Sequence, residues 1–81
     1  AVRAEAPLGQ AEAALFERLR NWRAQVARAQ GVPAYVVFHD STLRAIAQAR
    51  PASLDALRGI GGMGERRLAT YGEELLAVVA G

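Results

Sequence analysis

One segment decides the fold class of this 81-residue chain. Between Val32 and Phe38 the sequence VPAYVVF concentrates β-branched and aromatic residues, the composition of a strand. No second run of that character exists to pair with it. A lone strand would leave its backbone N–H and C=O groups without partners. The segment is therefore expected to be a buried turn or short helix that plugs a helical bundle.

Helical periodicity accounts for the rest. From Glu12 to Gln30, Leu15, Leu19, Trp22, Val26 and Ala29 recur at spacings of 4, 3, 4 and 3, one face of an amphipathic helix that Gly31 and Pro33 end. Asp40 or Ser41 can cap a helix to about Ala49, with Leu43, Ile46 and Ala47 facing inward and Pro51 closing it. Ser53 caps a short helix in which Leu54, Leu57 and Ile60 pack, while Asp55 suits its positive N-terminal end. Beyond a glycine cluster, Leu68, Tyr71, Leu75 and Val79 stripe the last helix. Gly72 interrupts that helix near its buried face. Glycine there costs about 1 kcal/mol relative to Ala, so it is expected to permit a close helix approach. The expected fold is all-α, a compact bundle of about five short helices with no sheet. Residues 1–10, AVRAEAPLGQ, mix Ala with Pro7 and Gly9, lack a sustained period, and read as linker from a longer parent chain; 11–81 form the domain.

Composition narrows the chemistry. Of the hydrophobic residues 18 are Ala, leaving 24 larger side chains for a small, Ala-spaced core. Without Cys there are no disulfides to support it, so helix packing must supply the stability. All ten basic residues are Arg, which excludes a Walker-type phosphate loop, and a single His without Cys excludes a zinc site. His39 has no second His or carboxylate pair with which to build a nucleophilic triad and reads as a turn residue, while Ser41 and Ser53 read as caps. No catalytic residue, metal or cofactor is expected. No apolar run approaches the roughly 18 residues of a membrane span, and the absence of Cys is compatible with a reducing cytosol. A soluble, monomeric, cytoplasmic domain is expected.

The run Gly59-Ile60-Gly61-Gly62-Met63-Gly64 matches GxGxxG, but it follows a helix rather than a strand and only 17 residues come after it, which rejects a dinucleotide site. Two readings remain. The glycines can simply make a tight interhelical turn. Alternatively, helix, GIG turn and helix form an arrangement in which Gly61, Gly62 and Gly64 admit a phosphate to the positive end of the last helix, with Arg66 and Arg67 in its first turn. Tyr35, at the start of the plug segment, can pack or can stack on an unpaired base.

The arginines do not line one stripe. With Leu15 at zero and about 100° per residue, Arg23, Arg20, Arg28 and Arg18 surround the first helix. Residues 12–30 carry +2 and residues 65–81 carry −1, within a net charge of +2. That mixed surface supports a second function class, a module that docks on another domain of its parent through Asp55, Glu73 and Glu74.

Val32-Pro33-Ala34-Tyr35-Val36-Val37-Phe38-His39-Asp40, then Ser41-Thr42-Leu43-Arg44, Leu57-Arg58-Gly59-Ile60-Gly61 and Tyr71-Gly72, resemble in order and spacing the helicase-and-RNase-D C-terminal (HRDC) domain, over residues 12–80. The resemblance implies a five-helix, non-catalytic auxiliary domain of a bacterial RecQ-type DNA helicase acting in DNA repair and recombination, or of an RNase D-type exonuclease. Such a domain modulates structure-specific DNA binding and unwinding through weak direct contact with single-stranded or partial-duplex DNA. The position matching Tyr35 is an exposed aromatic DNA contact in the family. On that basis Tyr35 would stack, the three glycines would admit phosphate, and Arg28, Arg66 and Arg67 would supply charge. The departure is electrostatic: family members that bind DNA surround this aromatic with Lys and Arg, whereas here His39 and Asp40 are its nearest polar neighbours in sequence.

Overall fold

A computed structural model describes residues 8–81, so of the linker reading residues 1–7 lie outside the described residues. Five helices follow in order: α1 (Gln10–Gln30), α2 (Ala34–Val37), α3 (Asp40–Ala49), α4 (Leu54–Arg58) and α5 (Gly64–Ala80), with no strand among the described residues. Helix α1 begins at Gln10, two residues ahead of the expected Glu12, and there the Gly9 N–H donates to the Glu12 carboxylate at 2.9 Å. It ends in a Schellman motif. Gly31 adopts φ 70°, and the Val32 N–H reaches back to the Ala27 carbonyl at 3.0 Å.

The buried seam of α1 differs from the expected one. Leu15, Leu19, Arg23 and Ala27 are buried, Trp22 and Val26 flank them half-buried, and Ala29 is exposed. A strict four-residue spacing drifts about 40° around the helix at each step, so the contact line runs obliquely across α1, and it places an arginine in the core. Arg23 is tolerated there because its guanidinium is used, donating to the Phe38 carbonyl at 2.9 Å and pairing with Asp40 at 2.7 Å. α1 packs on α2, α3 and α5, and α4 packs on α5.

The strand-like segment does form the plug. After Pro33 it makes the single turn of α2, then an extended Phe38 at φ −153°, and both Val37 and Phe38 are buried. The cap of α3 requires a correction. Its N-cap is His39, whose carbonyl accepts from the Thr42 and Leu43 N–H groups, while Asp40 is the first helical residue and faces Arg23. Thr42, Leu43, Ile46 and Ala47 supply the buried face of α3.

Ser53 caps α4 as expected, its Oγ accepting from the Ala56 N–H at 3.1 Å. Leu57 is fully buried, but Leu54 is 36% exposed rather than packed in the core. Its methyl groups lie across Gly72 on α5, where an added Cβ would come within 2.7 Å of Leu54 Cδ2. Gly72 thus provides the expected close approach, against α4. Leu68 and Leu75 complete the buried face of α5, with Tyr71 and Val79 half-buried beside them.

Candidate nucleic-acid interface

Helix α2 has four residues, too few to be stable alone, so its neighbours must set its geometry. Three contacts hold it. From α1, Arg23 binds the Phe38 carbonyl. From α5, Arg67 donates to the Val37 carbonyl at 2.9 Å and to the Val36 carbonyl at 3.2 Å, capping the negative end of the turn. Between them the Phe38 ring sits in an aromatic cluster, 6.0 Å from Trp22 and 5.6 Å from Tyr71, with the Arg67 guanidinium 5.6 Å from its centroid. The cluster is tied at its edges by Trp22 Nε1 donating to Glu74 and by Gln30 donating to the Tyr71 hydroxyl.

With Val37 turned inward, Tyr35 is turned out and is 62% exposed, beside an exposed Val36. The His39 ring lies near-parallel to it, tilted 21°, with centroids 6.4 Å apart. Val36 also lines a concavity of about 300 Å³ with Gly64, Arg66, Arg67 and Thr70, walled by Met63 and Tyr71. The first turn of α5 therefore opens close to the aromatic pair. Arg66 is exposed, whereas Arg67 is half-buried and already engaged on α2. On the other flank, Ala34 shares a shallow depression with Arg20 and Ala24, and Arg28 stands one turn beyond Ala24 on the same side of α1.

The glycines divide. Gly64, at φ 58°, opens α5 beside that concavity. Gly61 and Gly62 lie against α3: Thr42 Oγ1 donates to the Gly61 carbonyl at 3.2 Å, and a Cβ on Gly62, at φ 87°, would run into Thr42 Oγ1. The turn therefore has a packing function whatever else it binds.

The acidic residues also divide. Asp55 and Glu65 both pair with Arg58, bridging α4 to α5, and Glu65 followed by Asp55 raises the Arg58 pKa above its ordinary value. Glu74 holds the Trp22 indole, and Glu73 is exposed on α5. Sequence reasoning missed the two structural arginines. The signal for Arg23 was present in its spacing, four residues after Leu19 and four before Ala27; nothing local marked Arg67, because its partners lie 30 residues away.

Among the described residues no cluster of three His, Asp or Glu side chains could hold a metal, and no helix is long and apolar enough to cross a membrane. A family model for the HRDC domain matches residues 12–79. The chain is 48% identical over 67 residues to the ATP-dependent DNA helicase UvrD2 of Mycobacterium tuberculosis, covering 83% of this chain and 10% of that protein. It is 47% identical over 62 residues to the ATP-dependent DNA helicase RecQ of Bacillus subtilis, covering 76% of this chain and again 10% of the helicase. Among solved structures, D. radiodurans RecQ HRDC domain 3 aligns with a TM-score of 0.81 at 38% identity, over 84% of this chain and 90% of that one. The chain therefore spans about a tenth of the length of these helicases and most of the solved domain. With its helix order, its α2 plug and these matches in agreement, the chain belongs to the HRDC domain family and is itself non-catalytic.

Proposed function

We propose that this HRDC domain serves an ATP-dependent DNA helicase of RecQ or similar type by touching DNA weakly and so modulating which DNA structures the parent binds and unwinds. The observation that carries the reading is Tyr35, a large ring 62% exposed on a turn held rigid from beneath. A ring fixed outward on a preorganised turn is suited to stacking on an unpaired base. Arg28 flanks it on one side. Arg66, Arg67 and the Gly61-Gly62-Met63-Gly64 turn at the start of α5 flank it on the other, where a phosphate would meet cations and helix N–H groups. The helicase relatives favour this parent over an RNase D-type exonuclease. The setting is the bacterial cytoplasm, with the domain monomeric and DNA its partner.

The test is an anisotropy titration with single-stranded and partial-duplex DNA. Stacking on one base contributes roughly 1–3 kcal/mol, so Tyr35→Ala should weaken binding at least fivefold, and Arg66→Ala should weaken it by less. No change in either variant, in this chain and in the parent helicase, refutes the assigned surface.

A second reading is docking on a sister domain without DNA contact. It is favoured by Glu73, exposed on α5 on the far side of the chain's charge reversal, with Asp55 and Glu74 as further acidic anchors. Under docking, DNA induces no NMR shifts in the isolated domain, yet Glu73→Arg alters DNA binding by the intact parent. Deletion of residues 11–81 from the parent, followed by comparison of single-stranded, forked and junction DNA, tests both: an unchanged preference removes both.

A further inference from the structure

The geometry points to His39 as the second ring of the base-stacking surface, so that an unpaired base rests on Tyr35 and His39 together; this builds on the reading of Tyr35 as a stacking residue. The two rings are within 21° of parallel, yet their centroids are 6.4 Å apart. Ring atoms in direct contact approach to about 3.5–4.0 Å. At a centroid separation of 6.4 Å the rings are not in tight face-to-face contact, which leaves ring surface for a third planar group.

The His39 side chain has no structural duty that would explain its position. It caps α3 through its backbone carbonyl alone, and its side chain makes no capping hydrogen bond. Its backbone is nevertheless fixed on both sides. Phe38 before it is buried in the aromatic cluster, and Asp40 after it is held by Arg23. An exposed ring on a clamped backbone, aligned with a second exposed ring on a clamped turn, is preorganised for a flat ligand. Every nucleobase offers a π face, so the contact suits single-stranded DNA with little sequence preference. The surface then differs from one built of a single aromatic among lysines: ring area replaces charge.

The experiment uses the 81-residue chain and a fluorescein-labelled oligothymidylate followed by anisotropy, with wild type, Tyr35→Ala, His39→Ala and His39→Phe. Both side chains are exposed, so thermal melts should coincide and exclude misfolding. His39→Ala should weaken binding about fivefold or more, with the slope of log affinity against log salt unchanged because no phosphate contact is lost. His39→Phe should restore affinity to within about twofold, since it keeps the ring. On a strand of abasic spacers the three proteins that retain Tyr35 should bind alike. If Tyr35→Ala weakens binding and His39→Ala does not, the role of His39 is refuted and that of Tyr35 stands. If His39→Phe is as weak as His39→Ala, a polar contact rather than stacking is at work and the inference is again overturned. If Tyr35→Ala binds as wild type, or wild type does not bind at all, the stacking reading falls and His39 with it.

Discussion

Replacing Arg23 with methionine keeps most of the aliphatic stem and removes the guanidinium, isolating the polar tie between α1 and the turn from α2 to α3. Two bonds are lost, to the Phe38 carbonyl at 2.9 Å and to Asp40 at 2.7 Å. They are not equivalent. The Asp40 side chain is 68% exposed and rehydrates when its partner leaves, so its share stays within the roughly 0–1 kcal/mol of a surface ion pair. Phe38 is 1% exposed, and a buried acceptor left without a donor costs about 1–3 kcal/mol. A small gain offsets this, because Arg23 Nε is itself buried without an acceptor and disappears with the substitution. The expected loss is therefore about 1–3 kcal/mol for Arg23→Met, larger for Arg23→Ala, which also gives up the packing of the stem. Asp40→Asn takes the counter-charge from a guanidinium that is only 9% exposed but keeps an oxygen that can accept its hydrogen bond, so it should cost less than Arg23→Met. In a domain of this size each kcal/mol lowers Tm by roughly 4–8 °C. Thermal unfolding followed by far-UV circular dichroism, with Trp22 fluorescence as the local probe, reads all three variants. An Asp40→Asn loss as large as that of Arg23→Met would refute the reasoning, since the ion pair and not the carbonyl would then be the tie.

Gly62→Ala meets both a left-handed φ of 87° and the Thr42 hydroxyl, whereas Gly64→Ala meets a φ of 58° alone. Thermal melts should therefore show a cost of about 1 kcal/mol for Gly64→Ala and a clearly larger one for Gly62→Ala. Gly72→Ala should leave Tm within the equivalent of about 1 kcal/mol of wild type, because the gain in helix propensity offsets a contact that the half-free Leu54 methyl can relieve; Gly72→Val, which that methyl cannot accommodate, should lower Tm. In titrations against single-stranded DNA, log affinity should fall with log salt at a slope of about −1.4 to −2, corresponding to two or three neutralised phosphates. A slope steeper than about −4 would mean that cations outside Arg28, Arg66 and Arg67 carry the binding.

The helices were legible because each announces itself locally: an apolar period, the Ser53 cap, and Gly31 and Pro51 as stops. The plug was legible by a different route, since a strand with no partner has nowhere to place its backbone hydrogen bonds. What stayed hidden depends on tertiary partners. Asp40 has the composition of an N-cap, but Arg23 from α1 competes for its carboxylate, and the cap falls to the backbone of His39. Leu54 fits an apolar period in α4, yet α5 approaches it at Gly72, so the side chain lies over a glycine near the surface. The outward turn of Tyr35 was expected from family resemblance. Its alignment with His39 could not be read from a spacing of four residues, because the chain leaves the helix at Phe38 between them.

Arg66 and Arg67 are adjacent in sequence and equal in charge, but the structure gives them different work, and lysine substitution separates them. Arg67 uses its fork: Nε and a terminal nitrogen reach two successive carbonyls of α2 while the plane lies near the Phe38 ring. A lysine carries the same charge as a point, cannot span both carbonyls, and loses the planar contact. Arg66 is exposed on the same turn, where a lysine delivers its charge to a phosphate almost as well. Arg67→Lys should therefore loosen the turn that presents Tyr35 and weaken single-stranded DNA binding at unchanged net charge and unchanged salt slope, whereas Arg66→Lys should bind within about twofold of wild type. Hydrogen exchange at the Val36 and Val37 amides reports the loosening independently of DNA. Equal binding by the two variants would mean that α2 is held without Arg67, and that the orientation of Tyr35 rests on Arg23 and the Phe38 cluster alone.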